Sequence, residues 1–210
     1  MRLLSQPTKS SMVQSDRLKS DFLTNSFLKS DVVPSEQATQ VAIALGGNLG
    51  NSKRILADAI QAIDSTAHIT VLAQSHFYKT APIGPPQPDY INACILARTT
   101  LTAEALLTAL LSIEHQFGRV RQERWGARSL DLDLLFYGDR IIDLPCLTVP
   151  HPRLHERAFV LVPLADISPE WPHPQLGKTT AQLLNQLSAS QPLQSVEQIS
   201  FTQSTQSIPT

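Results

Sequence analysis

The chain has 210 residues, 42% of them apolar and 17% charged, which suits one ordinary folded domain with tails. A formal net charge of −1 excludes a global pull towards nucleic acid or an anionic membrane, so any bound anion must be held by a local cluster of cations. Cys94 and Cys146 have neither CxxC nor metal-ligand spacing, and no apolar run approaches the roughly 20 residues that span a bilayer.

Residues 1 to about 39 are rich in Ser, Lys and Asp, show no sustained apolar period, and read as a disordered N-terminal extension. They hold no apolar core of a secretory signal, and Asp16, Asp21, Asp31 and Glu36 argue against an organelle transit peptide, so the expected location is cytoplasmic. The folded domain is expected over residues 40–187. Residues 41–45 are a short apolar run ended by Gly46-Gly47-Asn48, the pattern of a buried strand. Asn51 can cap a helix that carries Ile55, Leu56, Ala59, Ile60 and Ile63 on one face. Residues 68–78 are β-branched and aromatic and read as a second strand; a proline-rich loop over 81–88 leads to a third strand over 90–100. Thr102 caps a helix to about Phe117, with Glu104 complementing its dipole and Gly118 stopping it. A fourth strand over 129–137 alternates Leu130, Leu132 and Leu134 with Asp131 and Asp133.

This order predicts an α+β fold: the ferredoxin-like βαββαβ core, an antiparallel sheet with two helices on one face. Helical stretches over 153–161 and 179–187 read as C-terminal additions, and residues 188–210 as a loose polar tail.

The densest chemical signal lies at residues 119–133. Arg119, Arg121, Arg124 and Arg128 fall within ten residues, and Asp131 and Asp133 follow. On a strand, positions i and i+2 share a face, so the two carboxylates stand side by side while the leucines fill the core. Their mutual repulsion favours a cation, and hard oxygen ligands suit Mg²⁺, which completes its shell with water and substrate phosphates. The arginines offer planar, permanently charged phosphate contacts. Taken alone, a D-x-D on an amphipathic strand is more often a solvated face, and an arginine cluster a solvated loop; joined in one segment they point to phosphoryl transfer. No Walker A pattern or kinase glycine loop is present, and Gly46 to Gly50 reads equally well as a tight turn. Tyr90 and Asn92 share a strand face after the proline-rich loop, a pairing that suits stacking and edge recognition of a flat heterocycle, although from these residues alone an ordinary loop and core ranks above it. His151 and His155 lack a third zinc ligand at sensible spacing.

These constellations, in this order, resemble the 6-hydroxymethyl-7,8-dihydropterin pyrophosphokinase family over about residues 41–175. The resemblance is carried by residues 44–50 (ALGGNLG), 77–82 (FYKTAP), 88–92 (PDYIN), Ile113-Glu114 with 118–121 (GRVR), 124–135 (RWGARSLDLDLL) and 149–152 (VPHP). It implies the ferredoxin-like fold and an ATP-dependent diphosphotransferase of folate biosynthesis, which moves pyrophosphate to the pterin hydroxymethyl group and releases AMP. Residue by residue, it implies that Asp131 and Asp133 hold two Mg²⁺ ions, that Arg119, Arg121, Arg124 and Arg128 gather the triphosphate, and that Trp125 closes over the site. It also implies a pterin pocket of Thr80, Pro82, Ile83, Tyr90, Asn92 and Phe159, ATP contacts from His151 and Arg157, and an arranging role for Glu114 on the nucleotide side. A monomer working on two small molecules is expected, without nucleic-acid or membrane partners. Gly47 stands where the family usually has Ser, Ala127 where Pro is common, and Cys146 where some members have an arginine. A rival RNA-binding reading of the same fold requires an RNP1-like aromatic pattern, which the strands lack. A kinase that moves only the γ-phosphate is separated from this reading by the resemblance alone.

Overall fold

The computed structural model describes residues 37–82, 86–119, 126–190 and 195–200. Strand β1, Thr39–Gly47, is an interior strand of the sheet, and Val41, Ala42 and Ile43 are wholly buried because both faces of the sheet are covered there. Helix α1, Ser52–Asp64, starts where the Asn51 side chain accepts the Arg54 N–H at 3.2 Å, and it buries Leu56, Ala59, Ile60 and Ile63.

The single strand expected over 68–78 is two strands, β2 (Ile69–Gln74) and β3 (Phe77–Thr80). The interruption has a local cause. The register slips between Val71 and Ala73, and Leu72 is left 45% exposed. At Ser75 the N–H donates to the Cys94 carbonyl at 2.9 Å while the side-chain hydroxyl accepts the Cys94 N–H at 2.9 Å. A side chain therefore replaces a backbone ladder group, and the next N–H, of His76, turns away to the Asp166 carboxylate at 2.8 Å.

Strand β4, Tyr90–Thr99, pairs with β1, β2 and β3. Helix α2, Ala103–Gln116, is capped by the Thr102 hydroxyl, which accepts the Ala105 N–H at 3.2 Å, and it gives way to Gly118 at φ 75°. Strand β5, Asp131–Tyr137, returns antiparallel to β1. Strands β6 (Ile142–Leu144) and β7 (Leu147–Val149) form a small hairpin. A 3₁₀ turn at Leu154–Glu156 leads into α3 (Ala158–Ile167), and α4 spans Thr180–Ser190. Strand β8, Val196–Ile199, pairs with β3, which corrects the reading of that stretch as loose tail.

The sheet order is β5–β1–β4–β3–β8, with β2 also on β4, so the βαββαβ core is the expected one. Helices α1 and α2 cover one face, where Ile43, Leu45, Ile63, Leu110 and Leu132 meet. Helices α3 and α4, the C-terminal additions, cover part of the other face over Ala42, Leu96 and Phe136. The part they leave open is where the polar residues gather.

Candidate active site

Strand alternation places Asp131 and Asp133 opposite the buried Leu130, Leu132 and Leu134. Strand register then sets their neighbours. Gly46 of β1 lies between Asp131 of β5 and Asn92 of β4, and Ala44 lies between Asp133 and Cys94. Asn92 in turn lies opposite Tyr78 of β3. The middle of this floor is thus made of small residues; a Cβ added at Gly46 would sit 3.2 Å from Asn92 Oδ1.

At the β5 end the carboxylates are held by cations. Arg119 Nη1 lies 2.5 Å from Asp131 Oδ1, and Arg128 Nη1 donates to Asp131 Oδ2 at 2.6 Å. Arg119 also donates to Glu114, which is 2% exposed and accepts the Leu132 N–H at 2.7 Å. Glu114 extends the buried stripe of Leu106 and Leu110 on α2 by one more turn. A carboxylate buried there requires a charge partner and hydrogen bonds, and the two contacts supply them. Burial works against the Arg128 charge, yet Asp131, with Tyr90 and Asp133, outweighs it and raises the guanidinium pKa.

Asp133 faces His151 Nε2 and Arg157 Nη1, each at 4.0 Å. His151 Nδ1 accepts the Arg153 N–H at 3.2 Å, which in the neutral ring puts the proton on Nε2, towards Asp133. Burial lowers the pKa of Arg157, with Asp133 opposing that shift, and its guanidinium lies 5.6 Å from the centroid of the Phe159 ring.

At the β3–β4 end, Asn92 Nδ2 donates to Thr80 Oγ1 at 2.9 Å, and both residues are buried. Tyr90 Oη lies 3.3 Å from Gln87 Oε1 and 3.4 Å from the Gly126 carbonyl. Pro82 is half-buried at the end of the described part of its loop. Glu114, Arg119, Arg128 and Asp131 thus form one contact group, and Asp133, His151 and Arg157 a second that is coupled to it electrostatically; Phe159 lies beside Arg157, and Thr80, Tyr90 and Asn92 gather at the other end of the floor, where Tyr90 reaches Arg128. Ile83, Arg121, Arg124 and Trp125 lie outside the described residues.

One residue central to this arrangement received no role from the sequence. Asn48 is 4% exposed and ties both flanking loops to the end of β1. Its N–H donates to the Arg128 carbonyl and its Oδ1 accepts the Arg128 N–H, both at 2.9 Å. Its Nδ2 donates to Gln87 Oε1 and to the Pro88 carbonyl, both at 3.0 Å. The available signal was an amide directly after a buried strand, whose hydrogen bonds had to be accounted for. Beside it, a Cβ at Gly47 would lie 2.3 Å from the Ser129 carbonyl oxygen. That glycine serves the close approach of two backbones rather than a turn. Among the described residues, the Ser129 hydroxyl is buried with no hydrogen-bond partner.

Comparison with known proteins gives this geometry a family. Residues 42–169 match the family described as 7,8-dihydro-6-hydroxymethylpterin-pyrophosphokinase (HPPK). The 2-amino-4-hydroxy-6-hydroxymethyldihydropteridine pyrophosphokinase of Synechocystis sp. is 48% identical over 152 residues, covering 72% of this chain and 78% of that one. Its namesake from Haemophilus influenzae is 46% identical over 127 residues, covering 60% and 79%. A crystal structure of a Plasmodium falciparum HPPK-DHPS triple mutant aligns with a TM-score of 0.62 at 15% identity. That alignment covers 76% of this chain but only 45% of the longer one, and it supports the fold. The match spans more than half of the sequence and takes in both ends of the floor, and the chain belongs to the 7,8-dihydro-6-hydroxymethylpterin-pyrophosphokinase family.

Proposed function

We propose that the Asp131–Asp133 end of the floor receives the ATP triphosphate with Mg²⁺, and that the Thr80–Asn92 end receives the pterin. The reaction is that of the family: pyrophosphate passes from ATP to the hydroxymethyl group of 6-hydroxymethyl-7,8-dihydropterin in folate biosynthesis. The observation that carries this division is the row Asp131–Gly46–Asn92, which sets a charged end and an amide-lined end side by side across a residue without a side chain.

The donor set fits Mg²⁺. Asp131 and Asp133 offer hard carboxylate oxygens, and among the described residues no group of three or more His, Cys, Asp or Glu is poised to enclose a metal. Such a pair suits one or two ions, two being the expectation, that keep water and phosphate oxygens in their shells. Bound there, Mg²⁺ supplies charge neutralisation at the phosphates.

The chain's own groups do the rest. Arg119 and Arg128 exchange contacts with Asp131 for contacts with phosphate oxygens, and Arg157 and His151 line the same side. Glu114 positions Arg119 and, through the Leu132 N–H, the start of β5. The Asn92 amide, oriented by Thr80, meets the hydrogen-bonding edge of the pterin, Tyr90 supplies flat apolar surface at that end, and Phe159, beside Arg157, supplies it from the nucleotide side. The pterin hydroxyl oxygen then attacks the β-phosphorus in line, the bond from that phosphorus to the bridging oxygen of the α-phosphate breaks, AMP departs, and the hydroxyl proton passes to solvent. Positioning and charge complementarity account for the rate, with no side chain required as a strong base.

A nucleotide assay on the purified protein with Mg²⁺, ATP and the pterin tests this. Pterin-dependent AMP is expected, falling about 10³-fold in Asp131→Ala and in Asp133→Ala. ADP in place of AMP would mean γ-phosphoryl transfer on the same scaffold. Full activity in both variants would remove the carboxylates from the site.

A further inference from the structure

The strand that closes the sheet lies outside the matched family region, which ends at residue 169, whereas β8 begins at Val196. It covers the edge of β3 in a defined register, with Tyr78 opposite Gln198, Lys79 opposite Glu197 and Thr80 opposite Val196. Its two half-buried side chains are divided between the layers: Ile199 packs on the α1–α2 core and Val196 on the α3–α4 core. Just beyond it, the Ser200 carbonyl accepts from the Lys53 ammonium in the first turn of α1.

Apart from β8, strand β3 is held by its buried side chains, Phe77, Tyr78 and Thr80, and by its pairing with β4. It is four residues long, and only Tyr78, Lys79 and Thr80 pair with β4 on its other side. So short a strand is marginal as a sheet edge. Its last residue is Thr80, whose hydroxyl accepts from Asn92, so the edge and the amide end of the floor are mechanically one piece. The sheet order places β8 and β5 at opposite edges, with Asp131 and Asp133 on the far one.

We infer that β8 is a clasp that positions the pterin end of the site and leaves the nucleotide end alone. By pairing with β3 it fixes Thr80, and through Thr80 it fixes the Asn92 amide. It touches no substrate, and its role rests on the assignment of Thr80 and Asn92 to the pterin made above. The consequence is selective: loosening β8 weakens the hold on one substrate rather than on both.

The test uses the full chain with both exposed β8 residues replaced, Glu197→Pro with Gln198→Pro. Neighbouring N–H groups along a strand point to opposite sides, so one of the two prolines removes a donor facing β3, and no core side chain is lost. Glu197→Thr with Gln198→Thr, which favours a strand at the same positions, is the comparator. The proline pair is expected to speed amide hydrogen exchange at Phe77 to Thr80 by about tenfold and to raise KM for the pterin about fivefold to tenfold. KM for ATP is expected to stay within about twofold, and the threonine pair to match wild type. Should the proline pair not fold, Glu197→Lys sets a like charge opposite Lys79 and is expected to raise pterin KM about twofold with the same selectivity. Faster exchange in β3 with unchanged pterin KM, or an equal rise in both KM values, overturns the positioning role. A Thr80→Val variant with unchanged pterin KM overturns instead the pocket assignment beneath it.

Discussion

From Ala42 to Gly46, β1 passes from a closed interior to an open, charged surface on one face of the sheet. At the Ala42 end its cross-strand neighbours are Leu96 and Phe136, and α3 lies over them with Leu161 and Leu164 wholly buried. Trp171 stacks on Phe136 there, with ring centroids 5.4 Å apart. At the Gly46 end the neighbours are Asn92 and Asp131, and the carboxylate side chains of Asp131 and Asp133 stay 25% and 28% exposed. Strand pairing and alternation are common to both halves. Residue type and the cover of α3 make one half a source of stability and the other a place for charge. The halves should therefore fail differently.

The largest expected effect is in the covered half. Leu161→Ala empties a fully buried position and is expected to cost about 2–5 kcal/mol of stability, read from denaturant unfolding. AMP formed per folded molecule should hardly change. The carboxylate variants described above should show the reverse, lost activity with little lost stability. Should Leu161→Ala instead lower activity at saturating substrates while the protein stays folded, the two halves are coupled and the division is wrong.

Gly47→Ala probes the border between them. Its Cβ would meet the Ser129 carbonyl oxygen, a backbone atom that cannot swing aside, so the chain from Arg128 to Leu130 must move away from β1. Overpacking of this kind costs about 1–3 kcal/mol. Because Arg128 is also tied here to Asn48, a rise in KM for ATP should accompany the loss. A stable, fully active Gly47→Ala protein would show that this segment yields freely.

What could be read in the sequence was what depends on neighbours in the chain. The helix caps Asn51 and Thr102, the stop at Gly118 and the leucine–aspartate alternation of β5 are local signals, and each forms as expected. The arginine and aspartate types carry the expectation of phosphate and metal on which the proposed function rests. The break at Ser75 was not legible, because it depends on a side chain taking over a ladder bond to Cys94, 19 residues away. Strand β8 was hidden for a similar reason: a Val-Glu-Gln-Ile stretch carries a weak pattern and becomes a strand only because β3 presents an open edge. The partners of Asn48 lie 39, 40 and 80 residues along the chain, so its amide reads as an ordinary turn residue until the loops are assembled.

The smallest expected effect separates the halves by pH. His173 is buried against the edge of the Phe136 ring at 5.7 Å, and its Nδ1 accepts the N–H groups of Gln175 and Leu176, both at 3.3 Å. Burial, with the nearby His155 adding to it, lowers the pKa of His173 below the ordinary 6.5. Between the lowered folded value and the ordinary unfolded one, the unfolded chain binds more protons, so its stability contribution is complete above about 6.5 and declines as the pH falls below it. Thermal midpoints taken from pH 7.5 down to pH 5 should therefore drop by a few degrees, and His173→Gln should flatten part of that slope. His155→Gln should flatten it less, because it removes the smaller cause and leaves the burial. An unchanged slope in His173→Gln would place the titration elsewhere.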